Sequence, residues 1–225
     1  MDEKRERRQM LLIYVAIGVI VAVITGWFLY QNRMEFWETQ ARSAFRMALG
    51  EELQKRNEVD VYFSSSGNIR LPDNSIDIKK EPIKVRIESE YGVKDFFIPY
   101  EKHSHNIERS SDMRASYSYV LYKSPLQADS LNRIWYRLLE EMNYFGKTVV
   151  RISVADWDER ETYTFSDDSL YMLKPDSLMS CYLGYRCEIG VTGYLYYSWL
   201  NVFTVKDKIL LCALALCCFL LFLSL

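Results

Sequence analysis

The sequence predicts an α+β fold: one domain with a mainly antiparallel sheet and helices on one face, flanked by two transmembrane helices. Three observations carry this. Met10–Tyr30 is a run of 21 residues without a charged side chain. Ile209–Leu225 is a second uncharged run, of 17 residues. Between them, segments of period-2 alternation mix irregularly with segments of helical period, the pattern of a sheet covered by helices rather than of repeated βαβ units.

The first run is long enough to cross a bilayer core of roughly 30 Å at ~1.5 Å per residue. Trp27 and Tyr30 stand at its outer end, where amphipathic rings favour the headgroup layer. A cleaved signal peptide would need a shorter apolar stretch and small residues at a cleavage site, whereas "GWFLYQNRMEFW" offers bulky ones. Lys4, Arg5, Arg7 and Arg8 flank the run, which places residues 1–9 in the cytoplasm and residues 31–208 in the periplasm of a bacterial inner membrane. Lys206 and Lys208 beside the second run pull the other way, and the first helix is taken to dominate. The second run, residues 209–225, is at the lower edge of spanning length and reads as a crossing cut short.

Beyond Tyr30 the helical period continues through Met34, Trp37, Ala41, Phe45 and Leu49, with charges on other faces. One helix is expected to leave the membrane and run to Arg56, with residues 31–56 as a membrane-proximal segment and a surface for homodimerisation. The sensor domain proper is assigned to residues 57–208. Its elements are a strand in "VDVYFSSSGN" (59–68), a hairpin across Tyr91-Gly92 in residues 83–102, a strand in "ASYSYVLYK" (115–123), and a polar loop over 103–114. A helix starts at Ser124-Pro125, with Leu131, Ile134, Trp135, Leu138, Leu139 and Met142 as its apolar face and Gly146 as its stop. Residues 147–156 and 161–167 form a strand pair, "PDSLMSCYLG" (175–184) reads as a short helix, and 186–205 as a long closing strand. Compact sensor folds of the PAS type share this inventory.

Chemistry is marked mostly by absences. There is no phosphate loop, nucleophile elbow, dinucleotide fingerprint or zincin motif, so no catalytic residue and no cofactor is assigned, and the chain is not read as an enzyme. Net charge is −2 without a basic stripe, which argues against nucleic acid contacting these residues. The two histidines, His103 and His105, lie in the polar loop; solvated side chains are the default there, with a ligand surface as the alternative and no metal assigned. Most of the 17 tyrosines read as core packing, but Tyr117 and Tyr119 are candidates for a ligand patch. Cys181 and Cys187 are candidates for a disulfide in an oxidising compartment, with free buried thiols as the other outcome. The partners expected are the lipid bilayer, a second copy, and an extracytoplasmic ligand of unknown identity.

Several phrases resemble the extracytoplasmic half of membrane-tethered winged-helix transcriptional regulators of Bacteroides-type bacteria: "FSSSGNIRLPD", "KDFFIPYEKHSHNIERSSDMR", "SPLQADSLNRIWYRLLEE", "YTFSDDSLYMLKPDSLMSCYLGYRCEIGVTGY" and "VFTVKDKILLCALAL". The resemblance implies a short cytoplasmic tail, a crossing, an outer sensor domain, a second crossing and a cytoplasmic DNA-binding output. Related chains end in a histidine kinase core, and a complete membrane-anchored interaction partner is a third reading. The resemblance transfers no ligand residues.

Overall fold

A computed structural model of the chain describes residues 2–56, 81–89, 92–142, 146–171, 177–196 and 202–223. The strand expected at 59–68 lies outside the described residues. The chain divides into two compact units, residues 1–41 with 197–225, and residues 42–196.

The first unit holds most of α1 (Asp2–Arg56) and all of α6 (Val205–Leu223). In α1 the expected continuity is present: one helix runs from the charged N-terminus through the apolar run to Arg56. Among the described residues it is the one helix long and apolar enough to cross a membrane, within Ile13–Arg56. Its large side chains stand outward, with Val23 and Trp27 each 65% exposed, as an all-round apolar helix requires when lipid is its solvent. The two crossings expected from composition are thus matched by one. In α6 the residues Lys206, Asp207 and Lys208 occupy the first turn, and Ile209–Leu223 spans only about 22 Å of helix.

The second unit is α+β with antiparallel sheets. Strands β1 (Ile83–Ser89) and β2 (Gly92–Ile98) form the expected hairpin, with Ile83 opposite Ile98 and Ser89 opposite Gly92. Gly92 has φ +116°, a conformation that side chains strain to adopt. A four-stranded sheet has the order β4-β3-β6-β5, from β3 (Lys147–Ala155), β4 (Glu161–Phe165), β5 (Ser177–Leu183) and β6 (Ile189–Tyr196). Every pairing is antiparallel. The helices are α2 (Tyr100–Ser104), α3 (Ser111–Lys123), α4 (Ala128–Glu141) and α5 (Asp168–Tyr171).

The core under α4 and α1 forms on one face of the larger sheet, and Val149, Thr192 and Tyr194 of the other face are buried as well. In α4, Leu131, Ile134, Trp135 and Leu139 are buried, at the spacing that puts them on one stripe. Phe45 of α1 meets Trp135 edge-on, with ring centroids 4.8 Å apart. Both rings lie over Gly193 of β6, where a Cβ would come within 3.0–3.1 Å of them. Glycine at this position lets the strand backbone approach the aromatic pair. Gly193 pairs with Val150, so Val150 and Ile152 share this face, and Val149, Arg151 and Ser153 point to the other. The hairpin and the β5–β6 turn are each fixed to the β3–β4 turn by a cation. Lys94 donates to the Trp157 carbonyl at 2.7 Å, Arg186 donates to the Ala155 and Asp156 carbonyls at 2.7 Å, and Phe96 packs edge-on against Trp157.

Two element assignments are corrected. Residues 115–123, expected as a strand, belong to α3, with Tyr117 and Leu121 buried four residues apart. Residues 177–183, expected as a helix, are strand β5, where Cys181 and Leu183 are buried in alternation. The polar loop is shorter than expected, since α2 takes its start and α3 its end.

Candidate functional site

The most specific polar constellation in the first unit sits where α6 begins. "TVKD" makes Thr204 the N-cap and Asp207 the third helical residue, the spacing of a capping box. The box is closed in both directions. Thr204 donates to the Asp207 carboxylate from its backbone N–H at 2.9 Å and from Oγ1 at 2.6 Å, and Asp207 N–H donates to Thr204 Oγ1 at 3.3 Å. An acidic side chain here also faces the positive end of the helix dipole.

Arg33 of α1 completes the arrangement. Its Nε donates to Asp207 Oδ2 at 2.9 Å and its Nη2 to Oδ1 at 3.4 Å, a forked pair across 174 residues of sequence. Asp207 is 7% exposed. Burial pushes its carboxyl up, but the hydrogen bonds from Thr204 and Arg33 outweigh that and hold it below the ordinary value. Around this clasp, Tyr30 and Phe203 are 6.1 Å apart and Trp27 and Tyr30 6.4 Å. On the same side of α1, Leu211 lies 3.5 Å from where a Cβ on Gly26 would stand. The arrangement has no chemistry to perform on a substrate. It ties two apolar helices together by one ion pair and one aromatic contact.

In the second unit the end of α1 is locked by a buried carboxylate. Glu52 is 1% exposed and accepts from Arg56 Nη1 at 2.7 Å and from Ser130 Oγ of α4 at 3.0 Å. Arg56 also donates to the Ser124 and Pro125 carbonyls, so the last turn of α1 is fastened to the entry of α4. A second lock forms around the β5–β6 turn. Glu188 accepts from Ser118 Oγ at 2.5 Å, and Ser118 Oγ in turn accepts from the Tyr185 N–H. Asn106 Nδ2 donates to the Gly184 carbonyl at 3.0 Å and to Cys187 Sγ at 3.3 Å. Gly184, at φ +89°, leaves the room that the Glu188 carboxylate fills.

The residues expected to bind ligand lie on α2, at its C-cap and on α3. His103 is half-buried in α2, where burial and then the nearby Arg114 charge lower its pKa. His105 is exposed, with Nδ1 2.8 Å from the Glu101 carbonyl and 3.2 Å from Ser104 Oγ. Among the described residues no three His, Cys, Asp or Glu side chains cluster as metal ligands would. Tyr117 is 7% exposed and its hydroxyl is pushed up to about 12 by burial and by Glu108. Tyr119 is 61% exposed, with Lys123 Nζ 4.4 Å above its ring. Two residues apart on a helix, these tyrosines face opposite ways and form no patch. Cys181 and Cys187 are free and buried, and burial raises both thiols, Cys181 to about 12.

The face of α1 expected to dimerise is largely used within the chain. Phe45 is fully buried and Leu49 is 2% exposed, whereas Phe36 and Met47, on another face, are 51% and 56% exposed. Sequence reasoning missed the clasp, although its signal was legible: Thr-x-x-Asp just ahead of an apolar run, and an arginine just past Tyr30. Comparison with protein families, with curated proteins and with solved structures finds no match.

Proposed function

We propose that this chain is a membrane-anchored extracytoplasmic sensor, the input module of a one-component transcriptional regulator with a winged-helix output in the cytoplasm. The observation that carries the reading is the composition of α1. A single helix holds an exposed apolar stretch of membrane-spanning length and, further along, a stretch buried in the core of an α+β domain. A helix shared in this way passes a change in domain packing to the membrane segment without an intermediate linker. The basic N-terminal flank supports a periplasmic side for the domain. The domain is read as a PAS-type sensor, and α6 as a shorter apolar helix tied to the membrane-spanning α1 by the Arg33–Asp207 clasp.

Signalling is a population shift between two arrangements of the α1 end and the clasp, biased by a ligand that favours one of them. Dimerisation along residues 31–56 uses the exposed Phe36 and Met47 face rather than the Phe45 face. The test is topological. Alkaline-phosphatase fusions within residues 146–171 should be active, and fusions before Met10 inactive. A domain reporting from the same side as the first nine residues ends the sensor reading, as does release of the chain from vesicles by alkaline carbonate.

A further inference from the structure

Arg151 lies in the middle of β3 on the sheet face that points away from Trp135. Its guanidinium carbon is 5.6 Å from the Tyr163 ring centroid and 5.7 Å from the Tyr194 centroid, so an aromatic ring flanks it on two sides. Its polar edges are poorly served. Nη1 reaches the Tyr171 hydroxyl at 3.3 Å and Nη2 reaches Thr192 Oγ1 at 3.4 Å, long bonds to neutral acceptors, and the buried Nε has no partner. Among the described residues no carboxylate stands within ion-pair distance of it. Glu161 is close enough to feel its charge, but that carboxylate is already held by Lys102 Nζ at 2.8 Å and by the Tyr163 hydroxyl at 2.6 Å. Two cations share one anion here.

A half-buried cation without a counter-ion costs stability, and replacing it with an apolar side chain of similar size commonly restores some. Rings beside the guanidinium recover part of the cost but leave the charge uncompensated. Thr192 Oγ1 also shares a hydrogen bond with Ser180 Oγ at 3.1 Å, and the Tyr171 hydroxyl one with Tyr194. Each of Nη1 and Nη2 carries one N–H beyond those directed at Tyr171 and Thr192, so the end of the guanidinium keeps paired donors of carboxylate spacing. Tyr163, 50% exposed, offers a flat face beside it. We propose that Arg151 is the binding residue for a small carboxylate ligand with a flat body, taken end-on at this sheet face. The inference deepens the sensor reading by naming a ligand class, and rests on it only for what binding would signal.

The test uses the full chain in nanodiscs with benzoate, with neutral benzamide of the same shape, and with methanesulfonate as a non-planar anion, whose protons, like those of the other two, report by saturation-transfer NMR. Benzoate should saturate and raise the unfolding temperature, while benzamide and methanesulfonate do neither. Arg151→Met should weaken benzoate by ~10- to 100-fold, the loss of charge-assisted hydrogen bonds, and Tyr171→Phe by ~2- to 10-fold. Without ligand, Arg151→Met should unfold at the same temperature as the parent or higher. Benzoate binding unchanged by Arg151→Met, or no saturation of the parent chain, overturns the proposal. If Arg151→Met fails to fold, Tyr171→Phe with the cation in place decides it, and equal affinity there is also an overturning result. Binding is read without reference to signalling, so a domain found on the cytoplasmic side would sink the sensor reading and leave this result standing.

Discussion

Helix α1 carries two apolar stretches that end in opposite surroundings. From Ile13 to Phe28 the large side chains point outward, Ile17 being 51% exposed and Phe28 64%, while from Ala41 to Leu53 the apolar positions are nearly all closed off, Phe45 at 0% and Leu53 at 4%. The first stretch is apolar on every side, and the second on one stripe with Arg42, Arg46 and Glu51 beside it. A helix needs its apolar surface removed from water, and either lipid or a protein core will do it. Period separates the two solutions where composition does not.

The largest expected effect breaks the second stretch. Phe45→Ala removes a fully buried ring from its edge-on contact with Trp135, and should cost about 3–5 kcal/mol in denaturant unfolding followed by tryptophan fluorescence. Next comes the first stretch. Ile20→Arg, near the centre of the apolar run, should cost about 3 kcal/mol of insertion and shift part of the chain into the carbonate-soluble fraction, with little change in the unfolding of the domain. If both substitutions acted on the same measurement to the same degree, the division of α1 would be wrong. Glu52→Ala sharpens the boundary. It should cost about 2–3 kcal/mol, less than an orphaned buried charge usually does, because Arg56 keeps the carbonyls of Glu52, Ser124 and Pro125.

What the sequence made legible follows the same logic. Elements whose local propensity and burial pattern agree were readable: α1, α4, the β1–β2 hairpin and the β3–β4 pair. The two misassigned segments carry conflicting signals. "ASYSYVLYK" is rich in residues that favour strands, and its alternating tyrosines obscure the four-residue spacing of Tyr117 and Leu121 that tertiary packing selects. "PDSLMSCYLG" opens like a capped helix, yet Cys181 and Leu183 alternate into the sheet beside β6. The site was less legible than the fold. Arg33 and Asp207 are 174 positions apart, and only the fold brings them together. The tyrosine pair was read at period 2, whereas its segment is a helix.

The smallest prediction concerns that clasp. Asp207→Asn leaves an acceptor for Thr204 but removes the charge facing Arg33, and should cost about 1–2 kcal/mol of helix-to-helix coupling. Spin labels at Tyr30→Cys and Phe203→Cys, residues whose rings are 6.1 Å apart, would read it as a broadened distance distribution. Arg33→Gln should broaden it as much, and the double variant no further, since either change alone empties the pair. The acid dependence has a definite sign. With its folded pKa held below the ordinary 3.8, Asp207 contributes its full stabilisation above that value and loses it only as pH falls through the lower one. The parent distribution should therefore stay narrow from pH 8 to pH 5 and widen only in stronger acid, while Asp207→Asn, with no proton to gain, should be equally broad throughout. A parent chain that already loosens near pH 6 would assign the hold on α6 to a group other than Asp207.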